Sequence, residues 1–493
     1  MIDASLFSAM ASGSISLNES QTKYIVAALM DNLKKAQDAT TVGYQTGPSA
    51  ASGDAATLSP LLPQSIDPTL TSLAIQEKEL VMWRMMPKGT ATQTLHEYRR
   101  KLKHGSLVQD HNVGEGSAGN NSSSKYSMAS TTIKFWSVRR EITDVAAGLT
   151  GIAPASNLLT EHTNEASFDL LRAIEMDVMF GDADLLATKA TGFIKQIADS
   201  GNITDLDGEQ ITLDHISMRL RILGQSTSAR GAIYPTHILT THMIWNDLER
   251  QERNSGGRFQ KDQKDPKFYF GAEAIFVRGP QGDVPIIAIP FLDDQRVIGL
   301  PDNESTGLDP NATAPAAPTA AGLGAGITSP ADAASRFKVA DAGSYYYKVV
   351  AHNADGYSAA YVSAAIPVAA GDKVLFKLDT PGSKLPAYYR VYRSLKDGAA
   401  ADCSYLFSVK RAAGGGFDTF GDFNAVKPNT GRVIFWTNQE DHVTFYRLLP
   451  MARVPLAKIQ LTTPFAIFMS GSPVVKLPEK FWMMTNVGYA AAL

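Results

Sequence analysis

Apolar and polar positions change period several times along this chain, and each change marks a different kind of element. The clearest helical period covers 157–180 (NLLTEHTNEASFDLLRAIEMDVMF), where Leu158, Ala166, Leu170, Leu171, Ile174 and Val178 form one apolar stripe. Ser156 is placed to cap its start and Gly181 to stop it. Glu161, Glu165, Asp169, Glu175 and Asp177 form an acidic remainder, in the simplest reading a solvated face. The same period predicts helices over 19–36, 211–223 (ITLDHISMRLRIL) and 243–251. Short apolar runs at 236–240, 274–277 and 284–289 predict buried strands, so 190–300 reads as α/β. Between them, 250–267 is charged and reads as an exposed loop.

A period of two takes over at 92–103 (TQTLHEYRRKLK) and 131–142 (TTIKFWSVRREI). These runs flank a polar tip containing Gly105, Gly114, Gly116, Gly119, Asn120 and Asn121. The pattern predicts a β-hairpin arm across 91–142, with a tip far longer than an ordinary turn. Arg99, Arg100, Lys101 and Lys103 sit on its first strand, and Lys134, Arg139 and Arg140 on the expected second. Two strands alone are marginally stable in water. The arm is therefore expected to lie on another surface, a neighbouring copy of the chain being one candidate; the alternative is a mobile hairpin on a globular enzyme. Basic strands and an acidic helix would suit ion pairing between neighbours.

Outside these runs the periodicity weakens. Residues 1–75 read as an N-terminal arm around the 19–36 helix, and 301–328, rich in Ala, Pro and Gly, as a linker. Short strand patterns separated by turn residues follow at 344–353, 357–366, 373–378, 387–394 and 405–411, which predicts an all-β sandwich over 311–430. From 431 to 493 the pattern is mixed again, with strands at 433–436, 444–448 and 465–469. The β unit thus reads as an insertion into a host domain.

Composition narrows the function classes. The 493 residues carry a formal net charge of −3, so there is no global basic footprint for nucleic acid. One cysteine, Cys403, leaves no intrachain disulfide framework and no multi-cysteine zinc site, and suits a reducing cytoplasm. No signal-peptide pattern and no membrane-length apolar run is present.

Catalytic chemistry finds little support. His237 and His242 straddle a strand end rather than sharing a helix face, and His96, His104 and His111 have no carboxylate at motif spacing. Gly322, Gly324 and Gly326 lie in the linker, without the strand and helix that a phosphate loop needs. Asp293 and Asp294 read as a turn. The expectation is no catalytic residue, no cofactor and no metal.

Taken in order, these parts resemble the tailed-phage major capsid proteins of the Hong Kong 97 fold. The resemblance implies an α+β fold with an N-terminal arm (1–75) and an extended β-hairpin loop (91–142). The spine helix would be 157–180, inside a segment 76–205 that also carries part of the peripheral domain. The axial α/β domain would be 206–305, and 431–493 would return to the axial and peripheral domains, with 458–489 closing the peripheral one. The insert (AGSYYYKVVAHNADGYSAA, AYYRVYRS, FDTFGD) resembles fibronectin type III or immunoglobulin-like modules. The family implies a structural, non-enzymatic protein of the virion, assembled in the bacterial cytoplasm as pentamers and hexamers into an icosahedral shell. Its partners would be copies of itself, packaged double-stranded DNA held non-specifically, and scaffolding, portal and decoration proteins, with no membrane. Arg99, Arg100, Lys101, Lys103, Arg139, Arg140, Glu161 and Glu165 would be intersubunit contacts. Rival readings are a nanocompartment shell, an enzyme on the α/β region, and a surface adhesin or tail structural protein that binds host glycan or protein through the β unit.

Overall fold

The computed structural model describes residues 79–103, 112–118, 124–144, 158–225, 231–254, 275–279, 282–292, 314–320, 327–379, 384–412, 417–458 and 461–489. The expected N-terminal arm, much of the hairpin tip, the Ser156 cap, the loop at 255–267, Asp293, Asp294 and most of the 301–328 linker lie outside these residues. A short helix α1 (Val81–Met85) and strand β1 (Lys88–Thr90) precede β2 (Leu95–Lys103), β3 (Lys125–Thr132) and β4 (Lys134–Thr143). The long helix α2 (Leu158–Phe180) buries Ala166, Leu170, Ile174 and Val178, one residue per turn along a single stripe. It stops at Gly181, where a side chain would run into the carbonyl oxygens of Asp177 and Ala190. After it come α3 (Phe193–Asp199), β5 (Ile203–Asp205), α4 (Leu213–Leu223), β6 (His237–Thr240), α5 (His242–Asn254), β7 (Ile275–Gly279) and β8 (Gly282–Ala288). The α4 helix begins after Thr212, whose hydroxyl accepts the His215 N–H at 3.2 Å, so the expected start at 211 moves inward to its cap.

The β unit follows, with β9 (Thr319–Ala320), β10 (Ile327–Thr328), β11 (Gly343–Tyr345), β12 (Tyr347–His352), β13 (Tyr361–Val362), β14 (Ile366–Val368), β15 (Val374–Asp379), β16 (Tyr388–Arg393), β17 (Ser404–Lys410) and β18 (Asp418–Asp422). One sheet has the order β13-β12-β16-β17; the other places β15 between β10 and β18, with β9 also on β15. Tyr347, Val349, Phe376, Leu378, Tyr389 and Val391 fill the core between them. The single strand expected over 344–353 is broken at Tyr346, whose N–H donates to the Ser394 hydroxyl at 3.0 Å as the chain leaves the β11–β14 pair for the β12–β16 pair.

Four strands complete the host: β19 (Thr430–Trp436), β20 (Val443–Pro455), β21 (Thr462–Val475) and β22 (Trp482–Gly488). A four-stranded sheet has the order β1-β20-β21-β4 and packs against α2 through Phe445, Phe465, Ile467 and Met469. A six-stranded mixed sheet has the order β5-β22-β19-β6-β8-β7. In β19, Val433 and Phe435 face the α4–α5 core, while Ile434 and Trp436 face the α2 core. A continuous apolar run is what a strand covered on both faces requires. The chain leaves for the β unit after β8 and returns at β19, the two strands that flank β6. Within the 458–489 segment, β21 belongs to the four-stranded sheet and β22 to the six-stranded one.

The hairpin differs from the sequence expectation. The run over 131–142 is not its second strand. β2 pairs antiparallel with β3, from Leu95 opposite Thr132 to Lys103 opposite Lys125. β4 pairs with β21 in the other sheet, Arg140 opposite Phe465. The reason lies at Ile133, which is buried and whose N–H donates to Thr94 O at 2.8 Å. Before it the more covered positions are Ser127, Ala129 and Thr131; after it they are Trp136, Val138, Arg140 and Ile142. A one-residue slip of this kind reverses which side chains face the core. Lys134, Arg139 and Arg140 therefore leave the hairpin for the sheet.

Candidate interaction surface

The hairpin has two unlike faces. On one, His96, Tyr98 and Arg100 lie opposite Thr131, Ala129 and Ser127. This face turns towards the four-stranded sheet: the His96 ring sits 3.9 Å from that of Tyr446, and the Thr131 and Ser472 hydroxyls hydrogen-bond at 3.0 Å. Burial and the charge of Lys476 hold His96 below the usual histidine range, favouring the neutral ring for this stacking.

The other face carries Leu95, Arg99, Lys101, Tyr126 and Met128. Tyr126 is 68% exposed and Met128 63%, which leaves a large apolar area uncovered within the chain. The Lys101 ammonium lies 5.8 Å from the Tyr126 ring. Phe135, 63% exposed at the start of β4, adds to the apolar positions near the hairpin base. Sequence reasoning found the cations but missed Tyr126, Met128 and Phe135. The signal was present, since Tyr126 and Met128 alternate with the small residues Ser127 and Ala129 in KYSMAS.

The remaining contact candidates scatter. Arg139 is exposed beside Glu141 on its own strand, at 3.5 Å. Arg140 bonds Glu165 at 2.6 Å and also bonds Asp169, with both carboxylates on α2. Basic strand and acidic helix thus do pair, but at this point within one chain. Glu161 lies on the first turn of α2, half-buried. In the backbone register Lys103 pairs with Lys125 after an irregular step in the ladder.

The acidic side of α2 is not uniformly solvated, which corrects the simplest sequence reading. Glu175 is fully buried and accepts backbone N–H groups from Met82 and Trp83 at 2.8 and 2.7 Å. Burial pushes its carboxyl up to about 7, against the pull of those two donors. Asp177 accepts the Trp136 indole N–H at 2.8 Å, and burial raises its carboxyl as well. Position 175 lies on the flank of the stripe shared with Leu171 and Val178, a flank that α1 covers.

A second polar region joins the β unit to the host. The turn after β5 holds Asp207 and Gly208 at positive φ, 53° and 85°. Asp205 pairs with Arg336 at 3.1 Å; Asp207 pairs with Lys427 at 2.9 Å and also with Lys338. Asn486 donates to Asp205 Oδ1 and to Ala425 O, at 2.8 and 2.9 Å. Burial opposes ionisation of Asp207, but Lys338 and Lys427 overcome it and hold the carboxyl below its usual range. A cavity of about 510 Å³ beside this junction is lined by Asp205, Arg336, Tyr405, Lys427, Thr430 and Arg432. Among the described residues, no group of three His, Cys, Asp or Glu side chains is arranged to hold a metal ion.

No protein-family model matches the chain. Among curated proteins it is similar to the major capsid protein of Staphylococcus phage K, 24% identical over 438 residues, which covers 86% of this chain and 90% of the relative. The major capsid protein of Staphylococcus phage S25-4 matches to the same extent. Among solved structures, a chain of Gordonia phage Cozz covers 91% of this chain and 99% of its own at 9% identity and a TM-score of 0.42. The holo-SrpI encapsulin complex of Synechococcus elongatus PCC 7942 covers 90% of this chain and 100% of its own, also at 9% identity, with a TM-score of 0.41.

Proposed function

We propose that this chain is the major capsid protein of a tailed phage, and that many copies assemble into a closed shell. The observation that carries this reading is the alignment with major capsid proteins across nearly the whole of both chains, 86% of this one and 90% of the relative. The element order supports the finer reading as a Hong Kong 97-type fold. In it, β2–β3 is the extended loop, α2 the spine helix, the four-stranded sheet the peripheral domain and the six-stranded sheet the axial domain. The β unit is an inserted fibronectin- or immunoglobulin-like sandwich carried on the outer surface.

The physical logic favours interfaces over chemistry. Obligate assemblies bury thousands of Å² in total. A hairpin that leaves Tyr126, Met128, Arg99 and Lys101 open on one face offers such area to a second copy. Contacts between unlike surfaces of identical chains close into rings, here pentamers and hexamers. The shell would enclose double-stranded DNA without reading its sequence, in keeping with a net charge of only −3. It would assemble in the host cytoplasm, with scaffolding, portal and decoration proteins as further partners. No catalytic role is proposed.

Electron microscopy of the purified recombinant protein, sized first by light scattering, tests this. Shells, or rings of five or six copies, are expected. A monomer that stays monomeric even when co-expressed with the phage's own assembly proteins would overturn the reading.

A further inference from the structure

We propose that the direction of the hairpin is set by a latch at its base, in which two carboxylates of α2, the buried Glu175 and the half-buried Asp177, grip the chain just before the hairpin and just after it. Glu175 holds the approaching chain through the Met82 and Trp83 amides at 2.8 and 2.7 Å. Asp177 holds the departing chain through the Trp136 indole at 2.8 Å, close behind the end of β3 at Thr132. Both gripped segments also meet on one ring: Trp83 and Trp136 lie 5.2 and 6.2 Å from Phe445. The Lys88 ammonium covers the Trp83 ring at 4.4 Å. Helix, both hairpin roots and β20 therefore form one block beneath the arm.

A carboxylate buried in an apolar core is costly unless donors meet it. Here the donors to both acids come from the hairpin roots, so these bonds act where the roots join the helix. The elements packed on α2 are α1, α3, β4 and β21. Their charged groups are committed elsewhere or point away. Arg84 of α1 is exposed, and Lys195 of α3 pairs with Asp184 and Asp199. On β4, Lys134 bonds Ala187 O, Arg140 bonds Glu165 and Asp169, and Arg139 sits beside Glu141. β21 has no charged residue. Lys189, on the loop after α2, acts on Asp177. Burial is thus the main influence on Glu175.

The sign of the pH dependence follows. Closed, the latch holds Glu175 at about 7; released into water, its carboxyl returns towards the ordinary value of 4.5. The closed form binds the proton more tightly, so acid favours closure and base favours release. Between pH 6 and pH 8 the closed-to-open ratio is expected to fall roughly tenfold.

Hydrogen exchange on the full-length, unassembled chain tests this independently of shell formation. Protection of 79–86, corrected for intrinsic exchange, should fall roughly tenfold from pH 6 to pH 8 in the wild type. Glu175→Gln should flatten that profile and loosen 79–86 while leaving β12 and β19 unchanged. A flat wild-type profile, a variant that keeps the wild-type profile, or equal loosening of β12 and β19 would overturn the latch. Should Glu175→Gln fail to fold, Trp136→Phe removes the indole donor to Asp177, together with part of the ring that packs near Phe445. It is expected to loosen 134–143 and keep the pH profile of 79–86, whereas unchanged exchange at 134–143 would refute the second grip.

Discussion

The hairpin β2–β3 and the β unit are both antiparallel, and they use their side chains in opposite ways. In β12 all six residues are buried, and in β3 none is. The β unit needs both faces of that strand because one side meets its internal core and the other a second cluster around Val350, Tyr392 and Cys403. Its polar groups are enclosed too: Arg393 and Asp422 pair at 2.5 Å with side chains only 2% and 1% exposed, and Tyr347 adds a hydroxyl to Asp422 at 3.1 Å. The hairpin has no core of its own. Its order within the chain comes from one seated face and from its roots, and its other face stays open. A region that stabilises itself and a region completed from outside can thus share one secondary structure.

The largest effect should come from breaking the enclosed pair. Arg393→Met leaves Asp422 buried without its cation and should cost about 3–5 kcal/mol, read by denaturant unfolding. Adding Asp422→Asn should recover much of the loss, because the uncompensated charge is removed. A cost below about 1 kcal/mol would mean that the β unit is as open as the hairpin.

A smaller effect is expected at the junction with the host. Asp207 is about one-third exposed, 35%, so Asp207→Asn should cost about 1 kcal/mol or less, and less still at high salt. Because its carboxyl is held low in the folded state, this contribution is present above about pH 4 and lost as pH falls further. Salt-independent destabilisation of several kcal/mol would refute the view of this junction as a screened surface network.

The smallest effect on stability belongs to the hairpin's open face. Tyr126→Ser with Met128→Ser should change unfolding of the unassembled chain by no more than about 0.5 kcal/mol. Under the proposed function the same pair should abolish shells in electron micrographs. Reversing the charge of Arg99 and Lys101, the cations of this face, should impair assembly likewise. Normal shells from both variants would remove this face from the contact between copies.

Much of the fold was legible from local pattern. The α2 helix, placed at 157–180 and found at Leu158–Phe180, has a stripe long enough to leave no alternative period. Five strand runs of the β unit were legible through their turn residues, whereas β9, β10, β14 and β18 were not read. What misled was the run TTIKFWSVRREI, whose alternation slips at Ile133 without any glycine or proline to announce it. Strands β5 and β22 were missed; β5 is short, and β22 (WMMTNVG) does not alternate cleanly.

The chain's own sequence determined the long helices and most of the strand runs, because those choices follow from neighbours a few residues apart. It also determined the cations at Arg99, Arg100 and Lys101 and the absence of familiar catalytic motifs. Only the tertiary structure decided that Arg139 and Arg140 leave the hairpin, that Arg140 closes onto Glu165 and Asp169, and that Glu175 and Asp177 turn inward to the hairpin roots. Burial and ion pairing depend on residues tens to hundreds of positions away. A charged side chain on a helix flank looks the same in sequence whether water or another segment covers it.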